Sequence, residues 1–491
     1  LNAAEAADAS PSRLPVSLAS LFTLAWPIIV SRSTQTVIGV SDAVLVADLG
    51  SVAVAATSAG GFNTFALLIF PMGILFIVSS FSSQLYGLKD LEGARRFGFY
   101  GLMVAVATQA VCMLAALFVP WVLGQLSYAE DLRHSMTAYL QVRLMCGGAA
   151  MGIEALANYY GGIGNTRRPM FAALFAMVLN VALNVVLIKG LGPIAALGVT
   201  GSALASAIAT WVAFLALLWV FWREDPRVPR FEWSELKRML QFGLPSGFNW
   251  FFEFLAFNVF INVVVAGLGT VALAGMMAVF QVNSVSFMPA FGLASAGAIL
   301  VGQSIGANDK AAVPRIVSLT LRSAVLWQGA VGLSYLLVPR LLMRPFAQGT
   351  AGDAAALIDV GARMLMLSAA WQLFDATTNT FAESLRAAGD TEFTLKARVV
   401  LAWGVFFPGS WVSVRLLGGS DVQAVLWVVA YLGLLALVLG LRFRSGRWRE
   451  LQLVEPRLMP EQSAPVTPEA TQRAGSAEAP GAVSARPAEP R

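Results

Sequence analysis

Cysteine and histidine are almost absent: Cys112, Cys146 and the single histidine, His134, stand in 491 residues. Both thiols lie inside apolar stretches, so neither a disulfide framework nor a metal-spaced ligand cluster can be built, and both are expected to be core residues. Charge is scarce too. Asp, Glu, Lys and Arg make up 12% of the chain, about half the usual soluble share of roughly 25%. Hydrophobic residues make up 57% and mean hydropathy is +0.70, which excludes a water-soluble globule. Period-two alternation is missing, which excludes an outer-membrane barrel. No phosphate-binding Gly/Lys loop and no Ser/His/Asp set occurs, so neither catalysis nor ATP hydrolysis is expected.

What the chain has instead is long Leu/Ala/Val-rich runs. Spanning a hydrocarbon core of roughly 30 Å takes about 20 apolar residues. Twelve such runs start near residues 18, 53, 95, 134, 169, 197, 238, 272, 314, 358, 393 and 421. The expectation is an all-α integral membrane protein of twelve transmembrane helices. The first run lacks a small-residue cleavage site and is expected to serve as its own insertion signal. Lys and Arg crowd the N-terminus, the even-to-odd connections and the C-terminal flank, whereas the opposite side holds only Arg133, Lys189, Arg340, Arg344 and Arg415. By the positive-inside rule both termini are expected in the cytoplasm. The net charge of +5 is then topological and calls for no nucleic acid.

The expected organisation is a cytoplasmic segment 1–17, a lobe of helices 1 to 6 over 18–222, a basic linker 223–237, a lobe of helices 7 to 12 over 238–443, and a cytoplasmic tail 444–491. Beyond Glu455 the tail is rich in Pro, Ala, Glu and Ser, and it is expected to be disordered. The two lobes repeat each other. LGSVAVAA (49–56) recurs as LGTVALAG (268–275), 219 residues on, and at that offset Gln84, Gly87, Asp90 and Arg96 recur as Gln303, Gly306, Asp309 and Arg315. Further along, Arg143 pairs with Arg363, Glu154 with Asp375 and Asn158 with Asn379. Parallel repeats of six helices are a transporter architecture, with the substrate cavity between the halves near mid-membrane.

Two acids stand at membrane depth, Glu253 in NWFFEFLAF (249–257) and Asp375 in WQLFDATTN (371–379). A carboxylate in hydrocarbon is costly unless it meets a cavity, a partner or an ion. Helical spacing puts Asn249 and Phe257 on the face of Glu253, and Trp371, Gln372, Thr378 and Asn379 on that of Asp375. Carboxylates beside amide and hydroxyl oxygens suit sodium, and protonation would satisfy the same groups. Trp250, Phe251, Phe252, Trp371 and Phe374 offer ring faces to a flat organic cation, worth roughly 0.5–2 kcal/mol per contact. The competing reading is that Glu253 or Asp375 neutralises a buried arginine, with Arg32, Arg143 and Arg363 available. Glu154 divides evenly between function and a structural pair, Glu383 is expected at a solvated helix end, and Arg32 has no explanation in the sequence.

Several stretches carry a family resemblance. QTVIGVSDAVLVADLGSVAVAA (35–56), GIGNTRRPM (162–170), LNVALN (179–184), GLPSGFNWFFEF (243–254), AFGLASAGAILVGQSIGAND (290–309) and FDATTNTFAESLRAAGDT (374–391) resemble the multidrug and toxic compound extrusion (MATE) family, most of all its bacterial NorM-like branch. The resemblance covers residues 18 to 443. It implies a two-lobed exporter in the inner membrane, acting as a monomer among lipids, that exchanges Na+ or H+ for cationic amphiphilic drugs and needs no cofactor. Glu253 and Asp375 fall on the branch's coupling acids. Asp42, Asn180 and Asn184 fall on a first-lobe polar network, and Pro27 would permit helix 1 to bend. Asn249, Phe252, Phe257, Trp371, Gln372, Asn379 and Glu154 are the expected cavity residues. Members with the helix 10 aspartate often carry a tyrosine where Trp371 stands. The alternatives are a flippase for lipid-linked saccharides, which Arg143 and Arg363 facing the cavity would favour, and a major facilitator transporter, faintly suggested by GLKDLEGARR (87–96).

Overall fold

The computed structural model describes residues 17–190, 195–347 and 354–454, so the expectations for 1–16 and 455–491 lie outside the described residues. The helices in chain order are α1 (Leu18–Ala47), α2 (Ser51–Gly87), α3 (Leu91–Gly124) and α4, built of two pieces, Glu130–Leu144 and Gly147–Gly162. They continue as α5 (Arg167–Lys189), α6 (Gly198–Glu224), α7 (Trp233–Leu268), α8 (Thr270–Gly306), α9 (Val313–Leu337), α10 (Ala354–Ala388), α11 (Thr391–Leu416) and α12 (Asp421–Arg444). Ten of these are long and apolar enough to cross a membrane. The other two, α1 and α4, bring the count to the expected twelve. In α1, which has 30 residues, Arg32, Gln35 and Asp42 dilute the apolar character. In α4 the break at Met145 and Cys146 divides the length. Gln109 of α3 bridges that break: its Nε2 donates to the Leu144 carbonyl at 3.4 Å and its Oε1 accepts from the Gly148 amide at 2.7 Å. A broken helix survives at membrane depth only where such a side chain takes up the freed backbone groups.

The repeat is written in the backbone. Gly50 (φ +99°) and Gly269 (φ +105°) start the 37-residue helices α2 and α8 in a conformation that a side chain would strain, and each helix contains a proline, Pro71 or Pro289. Past their ends, Lys89 and Asn308 take left-handed φ values of 64° and 60°. Asp90 and Asp309 then accept from backbone amides three residues on, at 2.7 and 3.2 Å.

Those same two helix ends fasten the halves together. Gln84 Nε2 donates to the Ala387 carbonyl at 2.7 Å, and its repeat mate Gln303 donates to the Gly162 carbonyl at 2.9 Å. A Cβ on Gly87 would overlap the Gln303 carbonyl, and one on Gly306 would overlap that of Gln84. Beside this seam Arg96 of α3 pairs with Glu235 of α7 at 3.0 Å, and the Tyr100 hydroxyl donates to the same carboxylate at 2.8 Å. Deeper in, α2 meets α7 backbone to backbone, because a Cβ on Gly73 would lie 2.8 Å from Gly247 Cα. Helices in lipid associate by van der Waals packing rather than hydrophobic exclusion, so small residues mark such crossings.

The described part of the C-terminal segment differs from expectation. Residues 445–453 are held against the helices: Trp448 is buried, stacked on Phe443 at 5.5 Å. Lys310 Nζ donates to the Arg449 carbonyl at 2.6 Å, and Arg238 Nε to that of Leu453 at 2.6 Å. One aromatic anchor and two basic donors order a stretch whose composition reads as tail.

Gly247→Val should lower stability by about 1–3 kcal/mol through overpacking, since its Cβ would sit 2.8 Å from Ile74 Cγ1 and the Phe70 carbonyl. Gly39→Ala, which meets nothing within 4 Å, is the control. Thermal unfolding in detergent checks both, and equal behaviour of the two variants would contradict the close crossing.

Candidate functional site

In the first half, α1, α5 and α6 bring a carboxylate, two amides and a hydroxyl into one ring. Asn184 Nδ2 donates to Asp42 Oδ1 at 2.5 Å and to Asn180 Oδ1 at 3.1 Å. Asn180 Nδ2 donates to Ser206 Oγ at 3.0 Å, and Ser206 Oγ donates back to Asp42 Oδ2 at 3.3 Å. Asn180 and Asn184 are buried, one helical turn apart on one face. One oxygen of this ring, Asn184 Oδ1, lacks a partner, as does Ser202 Oγ one turn before Ser206 on α6. Ser202 and Ser206 escaped the sequence reading. Their signal was a four-residue spacing on one face of α6, which in an Ala-rich helix reads as packing. Among the described residues no arginine or lysine is ion-paired to Asp42, although Arg143 of α4 lies near enough to act on it electrostatically.

In the second half Asp375 is also held by neutral donors. Gln328 Nε2 of α9 reaches its Oδ2 at 3.1 Å, Asn379 Nδ2 reaches its Oδ1 at 2.9 Å, and Gln328 Oε1 is buried without a partner. Glu253 is held differently. Arg398 of α11 forms an ion pair with it, and the Tyr431 hydroxyl of α12 donates to it at 3.4 Å. The partner is none of the three arginines considered from sequence. Arg398 stands two turns inside α11 and is buried.

Among the described residues no hydrogen bond or ion pair joins Glu253 to Asp375. Neither acid lines the small cavity nearby, which is bounded by Ser246, Asn249, Asn379, Glu383, Arg386 and Arg398; each reaches it only through a partner, Asn379 for Asp375 and Arg398 for Glu253. Asn249 and Asn379 line this small cavity, and the structure places other residues named for the substrate cavity elsewhere. Trp371 is buried within the second half, its ring 5.6 Å from that of Phe280. Gln372 bonds Asn283 and accepts from Ser286 Oγ at 2.9 Å, between α8 and α10. Phe257 packs among Phe280, Phe406 and Tyr431, and Phe252 stacks on Phe248 with ring centroids 5.8 Å apart.

Two further pairs occupy the boundary between halves. Arg32 grips Glu154 through two bonds, at 2.6 and 3.0 Å, which accounts for an arginine that the sequence left unexplained. Its guanidinium lies 5.6 Å from the Phe76 ring and 5.7 Å from the Phe291 ring, one on each half. Glu383 is not solvated: it is buried, paired with Arg386, which also reaches the Phe76 carbonyl and Ser80 Oγ of α2. Arg363, in contrast, is half exposed and paired with Asp421 at 2.9 Å.

Twelve helical passes in two repeated halves, with carboxylates held at membrane depth, define a multi-pass membrane transporter. The chain belongs to the MatE family, whose model matches residues 27–186 and 245–412. Members of that family are transporters and not enzymes, and neither the flippase nor the major facilitator alternative is favoured. The chain is 27% identical to a probable multidrug resistance protein NorM of Bradyrhizobium diazoefficiens, over 86% of this chain and 92% of that one. It is 26% identical to a probable multidrug resistance protein NorM of Pseudomonas putida, over 89% and 96%. The crystal structure of MATE in complex with MaL6 shares the fold, with a TM-score of 0.80 at 18% identity, covering 88% of this chain and 97% of that one.

Removing one partner of a buried ion pair strands the other charge, at a cost of about 3–5 kcal/mol. The Arg32–Glu154 pair is partly buried, so Arg32→Met and Glu154→Leu should each lose a part of that, about 1–3 kcal/mol, while the double variant recovers most of it. A double-mutant cycle by thermal unfolding measures the coupling, and additive losses would contradict the pair.

Proposed function

We propose that this protein is a multidrug exporter that moves cationic amphiphilic compounds outward in exchange for inward Na+ or H+. The relatives' names support the substrate class, and the arrangement around Asp42 supports ion coupling. A carboxylate closed in a ring with two amides and a hydroxyl, with Asn184 Oδ1 unpartnered, is a set of hard donors suited to a small cation, and protonation of the carboxylate satisfies the same ring. Asp375 with Gln328 and Asn379 supplies a second such acid, whereas Glu253 is paired with Arg398. Competition of ion and drug for these acids produces antiport.

The two halves act as the moving lobes, in the inner membrane, as a monomer with both termini in the cytoplasm. With that orientation the Gln84 and Gln303 seam lies at the cytoplasmic ends of α2 and α8, so the conformation described is closed to the cytoplasm. Opening inward requires these two hydrogen bonds and the Arg96–Glu235 pair to separate. Pro27 inside α1 removes one backbone hydrogen bond from the helix that carries Asp42 and permits it to bend.

Ethidium efflux from preloaded, pump-deficient bacteria tests the proposal, triggered by NaCl or by KCl at matched osmolarity. Wild type should drive efflux, Asp42→Asn should slow it at least about tenfold, the loss expected when one charge-assisted contact worth about 1.4 kcal/mol or more is removed from a coupling step, and Asp375→Asn should slow it as well. Unchanged efflux in Asp42→Asn, with equal amounts of protein in the membrane, would remove the first-half site from the mechanism. Absence of efflux in wild type would remove drug export.

A further inference from the structure

Asp42, Asp375 and Glu253 are not equivalent, and the difference lies in the charge of their partners. Asp42 and Asp375 accept hydrogen bonds from amides and a hydroxyl, and Arg143, which acts on Asp42 electrostatically, is not in ion-pair contact with it. An amide carries an oxygen as well as an NH2, so by turning it can offer an acceptor to a cation bound at the carboxylate. Glu253 is met by Arg398, and a guanidinium has five donors, no acceptor and a permanent charge. It cannot turn to help bind a cation, because it already is one.

The surroundings leave Arg398 no other place to go. Its side chain is 5% exposed, against 17% for Glu253, and its Nε is buried without a partner, so Glu253 is the acid that compensates its charge. Across the cavity Arg386 is already paired with Glu383 and anchored to α2, so Glu383 is committed elsewhere. The Tyr431 hydroxyl, packed against the other side of Glu253, supplies a neutral donor. Sodium entering at Glu253 would meet like charge in a medium of low dielectric, or would have to strand Arg398 in the interior.

Resting on the exporter reading above, we propose that Arg398 is a resident counter-cation that excludes sodium from Glu253, leaving Asp42 and Asp375 as the acids open to the coupling ion. Arg398 is thereby an ion-specificity residue of the second half. Its removal should create a sodium site where the protein has none.

The test uses the full-length purified protein in detergent, with melting temperature compared in sodium chloride and choline chloride. Asp42→Asn/Asp375→Asn leaves Glu253 as the one acid in question. With Arg398 present, this background should show no sodium-dependent shift. Adding Arg398→Met should produce a rise of about 3 °C in saturating sodium, the size expected for a ligand well above its Kd, and adding Glu253→Gln to that should abolish it. A sodium shift in the background with Arg398 intact, lost on Glu253→Gln, would overturn the proposal, and this arm needs no substitution at Arg398. No shift after both Arg398→Met and Arg398→Gln would overturn it as well. Ethidium efflux by the wild type is read separately. If efflux is absent while the sodium shifts follow the expected pattern, the exporter reading fails and the role of Arg398 stands.

Discussion

A charged group inside a membrane has to be answered by another group within reach, and the described interior is organised around that requirement. Water is not there to solvate it, so each buried carboxylate meets either a neutral donor set or a guanidinium. Glu154, Glu253, Glu383 and Glu235 meet arginines, while Asp42 and Asp375 meet amides. The first arrangement neutralises the acid permanently. The second leaves an acid whose charge is compensated only in part, and that is the condition in which a small cation or a proton is bound and released. The proposed ion coupling rests on the acids whose compensation is incomplete.

Placement follows the same logic. The arginine pairs sit on or near the boundary between halves, where Arg32 lies between Phe76 and Phe291 and Arg386 reaches across to α2. The amide-held acids sit inside each half, Asp42 among α1, α5 and α6, and Asp375 between α9 and α10. An ion step within each half can then be separated from the contacts that hold the halves together. Those contacts are side chain to backbone at the Gln84 and Gln303 seam and backbone to backbone at Gly73 and Gly247. The seam uses two hydrogen bonds of modest net worth, about 0.5–1.5 kcal/mol each, a size compatible with repeated making and breaking.

The sequence reached the fold well. Long apolar runs have one solution in lipid, because every backbone group must be satisfied within its own helix, so twelve runs read as twelve helices. The repeat was legible because a positive-φ glycine, a helix-ending turn and a capping aspartate require particular residue types, and Gly50 with Gly269 and Asp90 with Asp309 satisfy them in both halves. Asp42, Asn180 and Asn184 were legible through the family resemblance, with the four-residue spacing of the two asparagines on one helical face in support. Ser202 and Ser206 were not, since a serine among alanines is cheap to bury and carries no such signal.

Pairing was beyond one-dimensional reading. Glu253 and Arg398 are separated by most of a lobe in the chain, as are Arg32 and Glu154, and charge alone allowed each acid several arginines. Helical periodicity placed Trp371 and Gln372 on the face of Asp375, but a face has a direction only once its neighbours are known, and α8 claimed both residues for packing. The sequence by itself determined the class, the number of helices, the duplication and the acids at membrane depth, because those follow from solvent and from local backbone demands. The tertiary structure alone decided which acids an arginine neutralises and which remain open, because that depends on distances between helices far apart in the chain.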